Sequence, residues 1–221
     1  MKIADPSQTT LVNEVKLMLE ALPFDGARVL ELGCGRAEKT RTLAETGRPR
    51  EIVALEVDAI QHAKNLQIAD LPIVRFAQGG AEAIPAADAS FDIVIMFKSL
   101  HHVPVAHMDA ALDEIARVLR PGGVVVLTVP NLAYIKHTVG LLFGYLPRTG
   151  TPTRDMAYWR QHGWDGGHLH YFTRSSLAAL LQETGFKPED WTGDGRWARA
   201  RRWGTNLVGN LTVRARRRSD R

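Results

Sequence analysis

The residues best suited to chemistry stand where two apolar runs end. Val29-Leu30-Glu31-Leu32 stops at Gly33 and Gly35, and Ile52-Val53-Ala54-Leu55 ends in Glu56. Strand-ending glycines let the backbone turn sharply and let a ligand approach bare amides, because no Cβ intervenes. A carboxylate at the tip of a neighbouring strand can accept hydrogen bonds from both hydroxyls of a ribose. The pattern predicts a nucleoside site, while the glycines alone also fit a tight turn that binds nothing.

The glycine loop differs from the dinucleotide fingerprint at one position. Glu38 stands where the third glycine of Gly-x-Gly-x-x-Gly would be. An acid in the first turn of a helix takes the place that favours the negative charge of a phosphate. The loop therefore favours a nucleoside that carries no phosphate.

Three further stretches follow the glycine loop and Glu56 in order. The complete set is Glu31-Leu32-Gly33-Cys34-Gly35, Leu55-Glu56-Val57-Asp58, Gly79-Gly80-Ala81-Glu82-Ala83-Ile84-Pro85, Ser90-Phe91-Asp92-Ile93-Val94 and Leu119-Arg120-Pro121-Gly122-Gly123. In this order they resemble the motifs of the class I S-adenosylmethionine-dependent methyltransferases, a family rich in small-molecule methyltransferases. The resemblance covers about Arg28 to Val129.

The resemblance implies S-adenosylmethionine as the cofactor and assigns its binding residues. Family members often carry an acid where Gly80 stands, so the adenine edge here falls to the backbone of Ala81 and to Glu82. Cys34, the single cysteine, is expected to pack beneath the cofactor rather than act as a nucleophile. The implied cofactor-binding residues are Glu31, Gly33, Cys34, Gly35, Glu56, Val57, Gly80, Ala81, Glu82, Phe97 and Lys98.

Histidines are the natural bases for methyl transfer to a hydroxyl near neutral pH. The predicted catalytic residues are His168 and His170, ahead of a helix that Thr173 opens, with His101 as the next choice. The adjacent His102 is expected to order its loop, since the Leu-His-His run is widespread in the family. A metal site built from these four histidines is the less favoured alternative, and no metal is predicted.

Alternating apolar and amphipathic segments indicate repeated βα units. We predict strands near Arg28–Leu32, Glu51–Glu56, Ile73–Ala77, Phe91–Met96 and Gly123–Val129, and helices near Ala37–Thr46, Ala59–Ala69 and Val105–Leu119. Such units form a parallel sheet with right-handed crossovers. The expected fold is a Rossmann-like, doubly wound α/β domain with a mostly parallel seven-stranded sheet and helices on both faces. Its ligands bind beyond the carboxyl ends of the strands.

The segments outside this core are assigned within one domain spanning residues 1–221. Residues 1–24 hold an N-terminal helix, 25–130 the cofactor-binding core, and 168–221 a C-terminal helix, the last strands and a basic tail. Residues 131–167 are apolar, aromatic and long for a connection, which predicts a substrate lid. A helix that pads the sheet edge and an oligomer contact are the alternatives.

The composition and charge of the chain restrict its expected location and binding partners. The chain of 221 residues has no apolar run long enough to span a membrane and no apolar leader, so a cytoplasmic location is expected. Residues 196–221 carry nine arginines and one acid, against a net charge of +4 for the whole chain. We favour a last strand near Asn206–Arg214 with a solvated end over an arm for nucleic acid or anionic lipid.

Two classes of function stay open. The favoured one is transfer of a methyl group to a small acceptor, most simply a hydroxyl oxygen of a glycan, quinone or secondary metabolite. This choice rests on a looser similarity to glycan and quinone O-methyltransferases over Gly167–Thr173 and Leu180–Phe186. The alternative is a non-catalytic nucleoside-binding module that acts as a partner or regulator. Oligomeric state is not predicted.

Overall fold

A computed structural model describes residues 22–145, 168–193 and 204–218, together with Leu19 and Pro147. Strands and helices alternate through its core, as the apolar spacing predicts. The strands are β1 (Arg28–Leu32), β2 (Glu51–Glu56), β3 (Val74–Gln78), β4 (Phe91–Phe97), β5 (Leu119–Pro130), β6 (Phe186–Gly193) and β7 (Asn210–Arg217). The helices are α1 (Glu38–Thr46), α2 (Ala59–Asn65), α3 (Val105–Val118), α4 (Ile135–Leu142) and α5 (Arg174–Glu183). Short 3₁₀ turns cover Leu100–His102 and Thr205–Leu207.

The seven strands form one sheet in the order β3-β2-β1-β4-β5-β7-β6. Strands β1 to β5 are mutually parallel, whereas β7 runs antiparallel to both β5 and β6. The predicted mostly parallel, doubly wound sheet is confirmed. Because β1, β2 and β4 are neighbours and parallel, their carboxyl ends meet at one edge, and the chain order reverses between β1 and β4.

Each face of the sheet has its own apolar core. Alternate residues of one strand point to opposite faces, so Leu30 joins the core beneath α3 and α5, whereas Val29 joins the core beneath α1. Leu43 of α1 is fully buried on the second face. Helices therefore cover both faces, and the buried strands hold their carboxyl ends at fixed positions.

Several element ends differ from the sequence-based expectation. Helix α2 ends at Asn65 rather than Ala69, because the chain tightens into a turn in which the Ile68 amide donates to the Asn65 carbonyl. Strand β7 continues to Arg217, so the expected solvated end from Arg214 is wrong for these residues. The strand lies between β5 and β6, and both neighbours supply backbone hydrogen bonds.

The arginines of β7 are also held by side-chain partners. The carboxylate of Glu189 accepts hydrogen bonds from Arg214 at 3.0 Å and from Arg216 at 2.6 Å. Arg216 and Arg217 donate to carbonyl oxygens of Gly122 and Leu119 respectively. These contacts explain why basic residues occur in a central strand: their heads reach the strand-connecting turns and an acid on β6.

The segment after β5 is described only in part. Its described part contains α4 and the turn that follows, where Val139, Leu142, Phe143 and Tyr145 are exposed. Residue 146 and residues 148–167 lie outside the described residues, so the lid remains a prediction. The N-terminal helix of residues 1–24 likewise lies almost wholly outside them, apart from Leu19 and the stretch from Leu22. Within the described ranges, the helices are all too short to cross a bilayer.

Candidate active site

Glu56 at the tip of β2 is fixed by the backbone around it. Its Oε2 accepts a hydrogen bond from the Gly35 amide at 2.7 Å, and its Oε1 accepts one from the Asp58 amide at 3.0 Å. An ionised carboxylate has about four acceptor positions, so these two bonds leave capacity for two ribose hydroxyls. The acid is therefore oriented before any ligand arrives, which reduces the entropic cost of binding.

The glycine loop is shaped by its neighbours. Gly33 has φ +75°, and a Cβ built on it would lie 2.5 Å from the Ser99 hydroxyl oxygen. Only glycine accommodates both the left-handed backbone and this close approach. Asn65, buried at the end of α2, donates to the Gly35 carbonyl at 2.7 Å and holds the loop from the other side.

Two adjoining cavities open on this loop. The larger, of about 500 Å³, lies between the ends of β1, β2 and β4. The smaller, of about 440 Å³, lies toward α1. The predicted cofactor residues on the larger cavity are Gly33, Gly35, Glu56, Val57, Gly80, Ala81, Glu82 and Lys98. Those on the smaller one are Glu31, Gly33, Cys34, Gly35 and Phe97. The fold thus brings every predicted cofactor-binding residue to one sheet edge, divided between two cavities that share the glycine loop.

Gly80 and Glu82 lie against one another in the wall of the larger cavity. A Cβ built on Gly80 would lie 2.4 Å from one carboxylate oxygen of Glu82 and 2.6 Å from the other. The carboxylate of Glu82 therefore occupies the space that a side chain at position 80 would take.

Burial changes the acidity of two groups near the smaller cavity. Glu31 is buried, and this raises the pKa of its carboxyl to about 7, although the hydroxyl of Thr40 donates to it at 2.6 Å. Burial, and then the nearby Glu31 and Glu56, raise the pKa of the Cys34 thiol to about 12. Cys34 is thus a protonated, packed thiol, and its chemistry does not favour a nucleophile.

The raised pKa of Glu31 predicts a pH-dependent stability. A carboxyl whose pKa is higher in the folded state holds its proton more tightly there, so the stability it contributes falls as pH rises from about 4.5 to about 7. Glu31→Gln keeps an acceptor for Thr40 and cannot ionise. We therefore expect its free energy of unfolding to lack the decrease of about 3 kcal/mol that Glu31 causes in the wild type over this pH range. Urea unfolding at several pH values measures it. The exposed Glu45→Gln serves as the control, and parallel curves for Glu31→Gln and the wild type would contradict the assignment.

The histidines are divided between the cavity and the structure behind it. His102 and His107 line the larger cavity among its described residues. His101 is buried, its ring centroid 4.2 Å from that of His102 and 4.3 Å from that of His168. The Nε2 of His170 lies 2.6 Å from the Val103 carbonyl oxygen. The three predicted catalytic histidines therefore pack on or beside the turn after β4, and a catalytic role for them stays a prediction.

A family profile described as a methyltransferase domain matches residues 8–190. The chain belongs to this family. Its cofactor is S-adenosylmethionine, so the prediction of the cofactor class is confirmed for this methyltransferase domain.

Curated relatives of the methyltransferase domain include enzymes named for lipid acceptors. This chain is 39% identical over 101 residues to a fatty-acid O-methyltransferase of Mycolicibacterium smegmatis. The aligned region covers 45% of this chain and 35% of that protein. The chain is 30% identical over 128 residues to phthiotriol/phenolphthiotriol dimycocerosates methyltransferase 1 of Mycobacterium ulcerans, covering 58% and 46% respectively. The chain thus spans between a third and a half of the length of these two relatives.

A solved structure supports the fold over nearly the whole chain. The S-adenosylmethionine-dependent methyltransferase of Mesorhizobium loti superposes with a TM-score of 0.67 at 18% identity, covering 94% of this chain and all of that one. At this identity the likeness shows the fold of the methyltransferase domain.

Sequence reasoning missed several residues of the site. Asn65 donates to the glycine loop and Ser99 packs against Gly33, while Val103, Pro104 and His107 line the larger cavity. The sequence offered no signal for Asn65, because helix α2 has no apolar face and its other residues are half-buried or exposed. His107 offered none either, since a single histidine in the exposed first turn of a helix has no distinctive spacing.

Proposed function

We propose that this methyltransferase domain transfers the methyl group of S-adenosylmethionine to an oxygen of a small, largely apolar acceptor. The observation that carries the proposal is the larger cavity, which is asymmetric. Glu56, oriented by two backbone amides, comes from β2 on one side of β1, and His102 and His107, beside Val103 and Pro104, follow β4 on the other side. An acid placed to bind a ribose and a pair of imidazoles, supplied from either side of β1, suit a cofactor end and an acceptor end.

The residues present fit the cofactor. The amides of Gly33 and Gly35 donate to the Leu55 carbonyl and to Glu56, so the loop offers a ligand close approach to backbone that carries no Cβ rather than unoccupied amides. This backbone, the carboxylate of Glu56 and the Gly80–Glu82 wall form a cradle. When bound, S-adenosylmethionine supplies a methyl group on a positively charged sulfur. The protein then has to hold the acceptor oxygen in line with that methyl group and remove a proton when the acceptor is a hydroxyl.

An apolar acceptor is favoured by the surroundings of the cavity. Helix α4 follows the carboxyl end of β5, at the same sheet edge, and its last residue, Leu142, and the next residue, Phe143, are 80% and 74% exposed. Val103 and Pro104 give the acceptor end an apolar wall. Relatives named for fatty-acid and dimycocerosate substrates point the same way.

His107 is the residue that we propose as the base. It lies in the first turn of α3 and lines the larger cavity, and its ring is exposed. His102 also lines the cavity, but its ring packs against His101 and His168. In the proposed step the acceptor oxygen forms a bond to the methyl carbon, the carbon–sulfur bond breaks, and the hydroxyl proton passes to the imidazole of His107.

The experiment is a turnover screen of the purified chain with S-adenosylmethionine and matched acceptors. The panel contains long-chain fatty acids, long-chain alcohols, phenols and free sugars, and the readout is formation of S-adenosylhomocysteine together with the mass of the product. We expect methylated oxygen on an apolar member of the panel. Tight S-adenosylhomocysteine binding without turnover on the panel would favour the non-catalytic nucleoside-binding module.

His107→Ala should lower kcat on a hydroxyl acceptor by about 100-fold with little change in cofactor affinity, because a positioned base contributes about this much. His170→Ala is the matched comparison, since its ring is held at the Val103 carbonyl outside the cavity. Full turnover in His107→Ala with loss in His168→Ala or His170→Ala would instead support the histidines first predicted. A fatty acid, whose carboxylate has no proton to lose, should be insensitive to His107→Ala.

A further inference from the structure

Three imidazoles form a compact group behind the acceptor end of the cavity. The ring centroids of His101 and His168 are 4.3 Å apart, those of His101 and His102 are 4.2 Å apart, and those of His102 and His168 are 5.0 Å apart. One ring nitrogen of each residue lies within 4.8 Å of the chosen nitrogens of the other two. We refer to His101, His102 and His168 as the histidine triad.

Backbone contacts hold the two elements of the triad together. His101 and His102 lie in the 3₁₀ turn after β4, and the His101 carbonyl accepts hydrogen bonds from the amides of Leu169 and His170. The ring of His170 bonds the Val103 carbonyl at the end of that turn. The two residues that follow His168 are therefore fixed against the turn, and this backbone contact places the three rings beside one another.

We propose that the histidine triad is a binding site for a divalent transition-metal ion. Three imidazoles form a ligand set that suits Zn²⁺, Co²⁺, Ni²⁺ and Cu²⁺ and disfavours Mg²⁺ and Ca²⁺, which take oxygen ligands. Nitrogens bound tetrahedrally to Zn²⁺ at about 2.0–2.1 Å lie about 3.4 Å apart. The present nitrogens lie within 4.8 Å of one another, so we expect the exposed His102 and the half-buried His168 to turn toward the buried His101 when the ion binds.

The triad has the composition of an open metal site. Three protein ligands leave the fourth tetrahedral position for water or another oxygen. His102 is both a member of the triad and a wall of the larger cavity, so that open position adjoins the acceptor end. The site is separate from Glu56 and the glycine loop, and metal binding does not depend on methyl transfer.

The test uses the untagged full chain after treatment with a chelator, titrated with Zn²⁺ in competition with a chromophoric chelator. We expect one tightly bound ion per chain and, with Co²⁺, the visible bands of a tetrahedral ion. His168→Ala and His102→Ala should each weaken Zn²⁺ binding by about 100-fold, because two remaining imidazoles hold the ion much less well. His62→Ala, a histidine on α2 outside the triad, should bind as the wild type does.

Circular dichroism and S-adenosylhomocysteine affinity establish that each variant is folded. The proposal would be overturned if the wild type bound no Zn²⁺. It would equally be overturned if folded His168→Ala bound Zn²⁺ as tightly as the wild type. X-ray absorption of the Zn²⁺-loaded wild type provides a test that needs no variant. Scattering from about three imidazoles supports the triad, and a shell without imidazole contradicts it.

Discussion

Glu56→Ala is expected to lower the affinity for S-adenosylhomocysteine by about 100-fold. The substitution removes two charge-assisted hydrogen bonds to the ribose and also leaves the amides of Gly35 and Asp58 without the carboxylate that now orders them. The second effect loosens the glycine loop, so the loss includes preorganisation as well as direct contact. Isothermal titration calorimetry measures the affinity.

Asp58→Ala is the matched control for Glu56→Ala. Asp58 is two residues away, yet its side chain caps α2 by accepting from the Gln61 amide at 2.8 Å. Its loss should lower the free energy of unfolding by about 1 kcal/mol and leave ligand affinity close to that of the wild type. A Glu56→Ala variant that binds as tightly as Asp58→Ala would remove Glu56 from the ribose site.

Gly33→Ala is expected to weaken S-adenosylhomocysteine binding by a comparable factor of about 100. The new Cβ would meet the Ser99 hydroxyl, which lies 2.9 Å from the Phe97 carbonyl and borders the larger cavity. Ser99 or the loop must therefore shift into the ligand's space, and alanine also costs about 1–2 kcal/mol at a positive φ. Calorimetry and urea unfolding separate the two effects.

Gly26→Ala provides the comparison that isolates the steric effect. Gly26 has φ +69°, close to the +75° of Gly33, but a Cβ built there has open space around it. Both variants should lose similar stability, and only Gly33→Ala should lose affinity. Equal affinity in the two would mean that Gly33 is needed for the turn alone.

The parallel core was predictable because its strands are buried on both faces. Strands β1 and β2 are continuous apolar runs that end at glycine or acid, and their observed bounds match the predicted ones. Strand β5 begins earlier than predicted, at Leu119, because Leu119 pairs with Phe91 ahead of a bulge at residues 120–123, after which Val124 pairs with Ile93. Local apolar spacing therefore determined the strands, while turn geometry determined their ends.

The antiparallel end of the sheet was harder to predict. Strand β7 carries arginines at positions 214, 216 and 217, and its place between β5 and β6 depends on contacts with Glu189 and with backbone carbonyls far away in the chain. The residues of the site likewise divide into those evident from local spacing and those brought there by tertiary packing. Gly33, Gly35 and Glu56 were evident from spacing, whereas Ser99, Asn65 and His107 reach the site only through tertiary packing.

Titration of the wild-type chain with S-adenosylhomocysteine, and in parallel with ATP, tests the central claim most directly. The carboxylate of Glu56 is placed to accept hydrogen bonds from a ribose. The negative charge of Glu38 in the first turn of α1 disfavours a phosphate at the glycine loop. We predict one S-adenosylhomocysteine site per chain and binding of ATP that is about 100-fold weaker or more. ATP binding as tight as that of S-adenosylhomocysteine, or no binding of S-adenosylhomocysteine, would contradict the assignment of this cavity to a phosphate-free nucleoside cofactor.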